Sequence, residues 1–480
     1  MDRYVQQRRG CWIDGEERSG GDWVPVIDPA TEQAFAAITV ADRALVDEAV
    51  QGAVHAQESW KRVPAAERGA LLHALGESIA GEQEALSSLM VEEVGKPLRA
   101  ARAEVRSASR LCHYFAEEML RLKGELLPGA CRREQVLVVR EPVGTVAAIT
   151  PFNYPLSNLV CKLAPALAVG CTVVAKPDEH TSLTALLLAR LAGAVGYPQG
   201  TVQVVTGPGP ETGRFLVEHP LPRLVAFTGS AQVGREILAL NAARVRKSVL
   251  ELGGNCPAIV CEDADWAAVL PDLVEQTFKN SGQYCYRISR IYVARSLFEA
   301  FLDQFVKHAA TLRLGPPGDP DTDLGPLNNP GVLARVRAQI EQLVNQGGRL
   351  LLDGRQAARP PLGYYLGPTV IDGARIDPEH TREEIFGPVV IISPVSGVAE
   401  AVARANATPY GLAAYWFGRD LGAALDHAGD LEVGSLWINR IHPAYSHAPF
   451  GGVKQSGLGR EKSHFGLEEF TEPKTIYLSY

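Results

Sequence analysis

Residues 144–179 read GTVAAITPFNYPLSNLVCKLAPALAVGCTVVAKPDE, and this stretch decides the fold. The run "GTVAAIT" is short, apolar and without polar alternation, as a strand buried on both faces should be. "SNLVCKLAPALAVG" spaces its apolar residues as a helix does and ends in glycine. "CTVVAKP" is a second strand-like run. Moving outward, "SLTALLLARLAGAVG" reads as a helix, "GTVQVVTG" as a strand, "ETGRFLVEH" as a helix and "RLVAFTGS" as a strand. Strands alternating with helices of this length predict an α/β fold with a parallel, doubly wound sheet. After Gly254 the alternation resumes with "CPAIVC" and "SRIYVA", which predicts a second α/β unit. From Val40 to Leu122 the pattern is helical, as in "DRALVDEAVQGAVHAQESW".

The chain has 480 residues, long enough for two or three domains. Lys and Arg number 47 against 55 Asp and Glu, a net charge of −8, which argues against a nucleic-acid or membrane-surface binder. No run reaches the length of a membrane span, and the first residues lack the apolar segment of a signal peptide. The cysteines show no CxxC pair and no accompanying His pair at ligand spacing, so no metal is expected. A cytoplasmic protein with free thiols is the expectation.

One cysteine stands apart. In "FKNSGQYCYRIS" (278–289), Cys285 follows a Gly-Gln pair and sits between Tyr284 and Tyr286. A lone cysteine is usually a small buried hydrophobe, but backbone N–H groups beside this one suit an attacking thiolate and its anion. In "VLELGGNCPAIV" (249–260), Glu251 is either an exposed charge at a strand end or a carboxylate in a cleft; the paired glycines after it favour the cleft. Asn153 of "TPFNYP" either makes a turn beside Pro155 or donates its amide to an oxyanion. Lys176 and Glu179 close the next strand. For a phosphate cradle, "VVTGPGPETG" is weakened by two prolines that lack N–H donors. "FTGSAQVGREI" is the better candidate, with Gly229 and Ser230 opening a helix.

Taken in order, "TPFNYP", "KPDE", "FTGSAQVG", "LELGGN", "FKNSGQYC", "EEIFGPVV" and "APFGGVKQSGLGRE" resemble the NAD(P)-dependent aldehyde dehydrogenase superfamily over nearly the whole chain. The resemblance implies a Rossmann-type cofactor domain (1–122 and 142–253) and an α/β catalytic domain (254–455). It also implies a small β arm that joins subunits, with the C-terminal tail (123–141 and 456–480), in a homodimer or homotetramer. It implies that Cys285 attacks the aldehyde, that Asn153 and the Cys285 N–H hold the oxyanion, and that Glu251 activates the water that releases the acid. Lys162 would tune the site electrostatically. Thr150, Pro151, Phe152, Lys176, Glu179, Gly229, Ser230, Val233, Leu252, Glu384 and Phe386 would bind the cofactor, NAD in preference to NADP because of Glu179.

The same resemblance places Tyr154, Asn158, Cys161, Tyr284, Tyr286, His442, Ala444 and Phe450 along the aldehyde tunnel. The C-terminal motifs are most like the semialdehyde branches, yet Cys161 and Ala444 stand where those branches usually carry Arg and Ser. A polar small or semialdehyde-type aldehyde is the expected substrate. The rivals are a CoA-acylating dehydrogenase, against which Glu251 speaks, and a catalytically silent binding or structural protein on the same fold.

Overall fold

The computed structural model describes residues 8–480. Its first large sheet has eight strands, in the spatial order Gly457–Leu458, Lys247–Glu251, Leu224–Thr228, Val146–Ile149, Val173–Lys176, Val202–Val204, Cys11–Ile13 and Glu16–Arg18. The five strands from Lys247–Glu251 to Val202–Val204 are parallel, and the flanking strands are antiparallel. The chain begins its parallel part at Val146–Ile149 and moves outward through Val173–Lys176 to Val202–Val204. It then crosses back to lay Leu224–Thr228 on the other side of Val146–Ile149. The order reverses at that point, and helices leave the two neighbouring strand ends in opposite directions. The crevice this opens beyond the carboxyl ends is where ligands bind in such sheets.

Local sequence explains the elements around the crevice. Helix Pro155–Val169 starts with proline at its first turn, where the missing N–H costs nothing, and stops at Gly170 in the left-handed conformation (φ 98°). Its first free N–H groups, on Leu156 and Ser157, donate to the buried carboxylate of Glu104 at 3.1 and 3.0 Å. Glu104 projects from the long helix Leu98–Glu118, which packs against both Ala65–Gly81 and Pro155–Val169. Helix Ala231–Ala242 is capped by Ser230, whose hydroxyl accepts from the Val233 N–H at 3.3 Å.

The second large sheet has seven strands, in the order Arg349–Leu352, Thr369–Asp372, Val389–Val395, Ile288–Ala294, Cys256–Val260, Ala413–Phe417 and Ser435–Ile438. All its pairings are parallel except the one between Arg349–Leu352 and Thr369–Asp372. Each large sheet has its own apolar core.

A third, antiparallel sheet joins Glu125–Pro128, Glu134–Pro142 and Thr471–Ser479, with Thr471 opposite Pro142 and Ser479 opposite Glu134. It exposes Leu126, Leu127, Ile476, Tyr477 and Leu478. The stretch 456–480 is therefore divided. Gly457–Leu458 belongs to the first sheet, helix Ser463–Glu468 packs on the helices at 98–118 and 155–169, and Thr471–Ser479 forms the arm.

Candidate active site

A single cavity of about 860 Å³ runs along the switch point and on into the second sheet. Its lining includes Cys285, Asn153, Tyr154, Asn158, Cys161, Tyr284, Tyr286 and Phe450. It also includes Pro151, Phe152, Gly229, Ser230, Leu252, Glu384 and Phe386. His442 and Ala444 are not among its lining residues, although Pro443 and Ser446 beside them are. Glu251, Lys162, Thr150, Lys176, Glu179 and Val233 also lie outside the lining; Lys176 and Glu179 pair with each other at 3.4 Å.

Cys285 follows a tight loop in which Asn280, Ser281 and Gly282 all have positive φ (51°, 54° and 72°). Two consecutive non-glycine residues in this conformation are costly, and such strain gathers where a side chain must be aimed. The loop is tied down by hydrogen bonds. Ser281 donates to Gly325 O at 2.7 Å, and Asn280 Nδ2 donates to Asn153 O and Gln283 O at 3.3 and 3.2 Å. Opposite it, a Cβ at Gly254 would collide with the Cys285 carbonyl, so the glycine lets the two segments meet. Burial, and next the charge of Glu251, hold the Cys285 thiol well above its ordinary range.

The Asn153 amide is oriented by two neighbours. Asn158 Nδ2 donates to its oxygen at 3.4 Å, and its nitrogen donates to the Gln283 carbonyl at 2.9 Å, two residues before Cys285. An amide nitrogen carries two N–H groups, so one remains for an oxyanion.

Glu251 ends its strand buried at 3% exposure, and neither carboxylate oxygen has a hydrogen-bond partner within the protein. Burial first, and the charge of Glu461 next, raise it well above the usual carboxylate range. Gly451, at φ 156°, leaves it room: a Cβ there would stand 2.6 Å from Glu251 Oε1. A buried carboxylate left without donors is expensive, and a mobile water or proton-bearing group is its natural complement.

Lys162 does not reach toward Cys285. Its ammonium donates to Glu461 at 2.6 Å and to Thr228 at 2.5 Å, all buried. Its partner, Glu461, closes the "GLGRE" motif, and nothing in that motif marks it as an ion-pair partner. No local pattern announces a pairing across 299 residues. Lys96 is likewise buried, paired with Glu104, with its ammonium 3.5 Å from the Tyr154 ring centroid.

The tyrosines divide. Tyr284 turns its hydroxyl to the Gln276 carbonyl and keeps only ring surface toward the cavity. Tyr286 stacks on Trp437 at 5.9 Å and meets Phe450 and Tyr284 edge-on at 5.3 and 5.1 Å. At the other end Phe152 and Phe386 meet edge to face at 5.9 Å. Glu384 accepts from the Gly254 N–H at 3.0 Å, and burial raises its carboxyl to about 7.

Comparison with known proteins agrees with this geometry. The sequence pattern of the Aldehyde dehydrogenase family matches residues 12–476. The chain is 38% identical over 469 residues to a 3-sulfolactaldehyde dehydrogenase of Pseudomonas putida, covering 98% of this chain and 96% of that one. It is 38% identical to the mitochondrial succinate-semialdehyde dehydrogenase of Oryza sativa subsp. japonica, covering 97% and 88%. The crystal structure of a Staphylococcus aureus betaine aldehyde dehydrogenase in complex with NAD+ superposes with a TM-score of 0.95 at 33% identity, covering 98% and 94%. With the match spanning both large sheets and the arm, the chain belongs to the aldehyde dehydrogenase family.

Proposed function

We propose that the protein oxidises a short polar aldehyde to its carboxylic acid with NAD+, NADP being the alternative acceptor, through a thiohemiacetal and a thioester on Cys285. The observation that carries this reading is a half-buried thiol and an amide with one N–H to spare in the lining of one cavity, with the buried, partnerless Glu251 carboxylate next in the chain to the lining residue Leu252 and its charge acting on that thiol.

The residues at the switch point fit the cofactor. Gly229 and Ser230 line the cavity at the N-terminus of helix Ala231–Ala242, where free N–H groups and the helix dipole favour a pyrophosphate. Glu384 and Phe386 would hold the half nearer Cys285, and Lys176 with Glu179 the ribose at the far end. When bound, the nicotinamide supplies the hydride acceptor.

Glu251, held up by burial, takes the proton of the half-buried Cys285 thiol, and the sulfur attacks the carbonyl carbon. The second Asn153 N–H and the Cys285 backbone N–H receive the oxyanion. After hydride departure the thioester remains on Cys285. Glu251 then removes a proton from water as it attacks, the carbon–sulfur bond breaks and the acid leaves. Lys162 acts at a distance, offsetting the charge of Glu461 that would otherwise press further on Glu251.

The exposed apolar residues of the arm would be covered in a homodimer or homotetramer. The proposed location is the cytoplasm, where the eight free cysteines would stay reduced; no helix among the described residues is long and apolar enough to cross a membrane. The test is NADH absorbance across an aldehyde panel, wild type beside C285A. Turnover that vanishes in C285A supports the mechanism; turnover that survives removes it. Cofactor binding with no turnover of any aldehyde would favour the silent reading, and thioester transfer to coenzyme A instead of water the acylating one.

A further inference from the structure

We propose that Lys462 sets the specificity of the aldehyde tunnel, and that the substrate carries a carboxylate or sulfonate at the end remote from its aldehyde. The inference rests on the dehydrogenase reading above and names the substrate class of that site.

The first support is the balance of charge. Glu104 and Glu461 are the acidic side chains that line the aldehyde side, and each is already paired with a buried lysine, Lys96 and Lys162. Lys462 lines the same wall. Its ammonium donates to the Ala444 carbonyl at 3.1 Å and stands 5.4 Å from the centroid of the Phe450 ring. Among the described residues no carboxylate lies within ion-pair distance of it. Lys279, also in the lining, is equally without one. An ammonium has three donors, and the Ala444 carbonyl uses one. Apart from the buried Glu251, whose charge Lys462 feels without pairing to it, the aldehyde side thus offers a cation with no ion-pair partner beside apolar rings, where an anion is held more strongly than in water.

Position is the second support. Contact by contact, the wall runs from Cys285 to its neighbour Tyr286, from that ring to Phe450 at 5.3 Å, and from Phe450 to Lys462. The cation therefore stands one aromatic layer beyond the nucleophile, as a short bifunctional aldehyde needs.

Third is the backbone. Lys462 has φ 62° and ψ 175°, and Ser463 after it has φ 51°. The conformation of Lys462 is one essentially reserved for glycine. A lysine kept there, with no side-chain capping bond to the helix it precedes, owes its place to where the side chain goes.

A cationic aldehyde is the natural rival, because rings such as Tyr154, Tyr286 and Phe450 suit a quaternary ammonium. Here the rings of Phe450 and Tyr154 already face protein ammonium groups, Lys462 and Lys96. A second cation would meet repulsion.

The experiment compares kcat/KM for four aldehydes of matched length, ended by a carboxylate, a sulfonate, an uncharged methyl ester and a trimethylammonium. Wild type, K462Q, K462R and K462G are measured at low and high salt. Wild type should favour the anions over the ester by about 10- to 100-fold, the scale of a charged hydrogen bond, and less so at high salt. K462Q should lose that preference through KM, and K462R should keep it. K462G should lose it while melting no lower than wild type, since glycine accepts that backbone. The faster anion names the end group. Equal rates for ester and anions in wild type, preference for the trimethylammonium, or an equal fall in kcat for charged and uncharged aldehydes in K462Q would each overturn the proposal while leaving the dehydrogenase reading intact. NADH from none of the four, nor from the wider panel, would instead strike that underlying reading.

Discussion

At the cofactor end of the cavity, Pro151, Phe152, Gly229 and Ser230 each lie within a few residues of the strand that delivers them. At the aldehyde end, Tyr154, Cys161, Phe450, Glu461 and Lys462 come from opposite ends of the chain, and lysine–carboxylate pairs and ring contacts hold them together. The cofactor end is made largely of backbone at the edge of a parallel sheet. The aldehyde end is made of side chains whose charges were matched only after the chain folded. A backbone cradle tolerates changes of side chain, whereas a pocket of buried ion pairs and one leftover cation concentrates the effect of each substitution on one step or one class of substrate.

That contrast can be broken outright at Cys285. C285A should lower turnover by at least about 10⁴-fold, the scale lost with a covalent nucleophile, while NAD binding by fluorescence titration persists. Loss of both would mean that the two ends are not separable.

E251Q should be next, at about 10²- to 10⁴-fold in steady-state turnover. A pre-steady-state burst of NADH would survive wherever the thiol finds another proton acceptor, separating hydride transfer from hydrolysis. The pH dependence has a fixed sign. Glu251 acts as the carboxylate, and burial raises its pKa. Hydrolysis in wild type should therefore climb as pH rises through that raised pKa, and E251Q should lack this limb. The same shift means the folded protein prefers the protonated acid. Ionising Glu251 destabilises it increasingly as pH rises from the unfolded to the folded pKa, so E251Q should melt higher than wild type at alkaline pH. Melting curves across pH check this, and a constant difference would refute it.

N153A should cost about 10²- to 10³-fold in kcat, as loss of one oxyanion donor does, with KM for NAD nearly unchanged. A smaller loss would assign the amide to loop support through its bond to Gln283. The mildest effect belongs to the cofactor end. S230A removes the cap of helix Ala231–Ala242 and should cost about 1 kcal/mol of stability, with some weakening of NAD binding and no change in the chemical step.

Much was legible before folding. Strand–helix alternation gave the parallel sheet, because strands buried on both faces are apolar runs and the helices between them carry a different period. The ordered motifs pointed to Cys285, Glu251 and Asn153, which the structure draws around one cavity or against its wall. Less was legible where partners are distant. The resemblance singles out Lys162 but not its partner Glu461, and nothing in the local sequence distinguishes Lys462. His442 and Ala444 were expected along the tunnel, but their neighbours Pro443 and Ser446 line it instead. In an irregular loop no period says which residue faces inward.

The sequence by itself determined the alternation of elements, the helix opened by Ser230, the stop at Gly170 and, through its family motifs, which thiol is proposed as the nucleophile. These depend on residues a few positions apart and on intrinsic chemistry. Only the tertiary structure decided that Glu251 would be buried without a partner, that Glu104 and Glu461 would be neutralised, and that Lys462 would be left over. Burial and charge compensation are properties of what packs nearby in space, and spacing along the chain does not encode them.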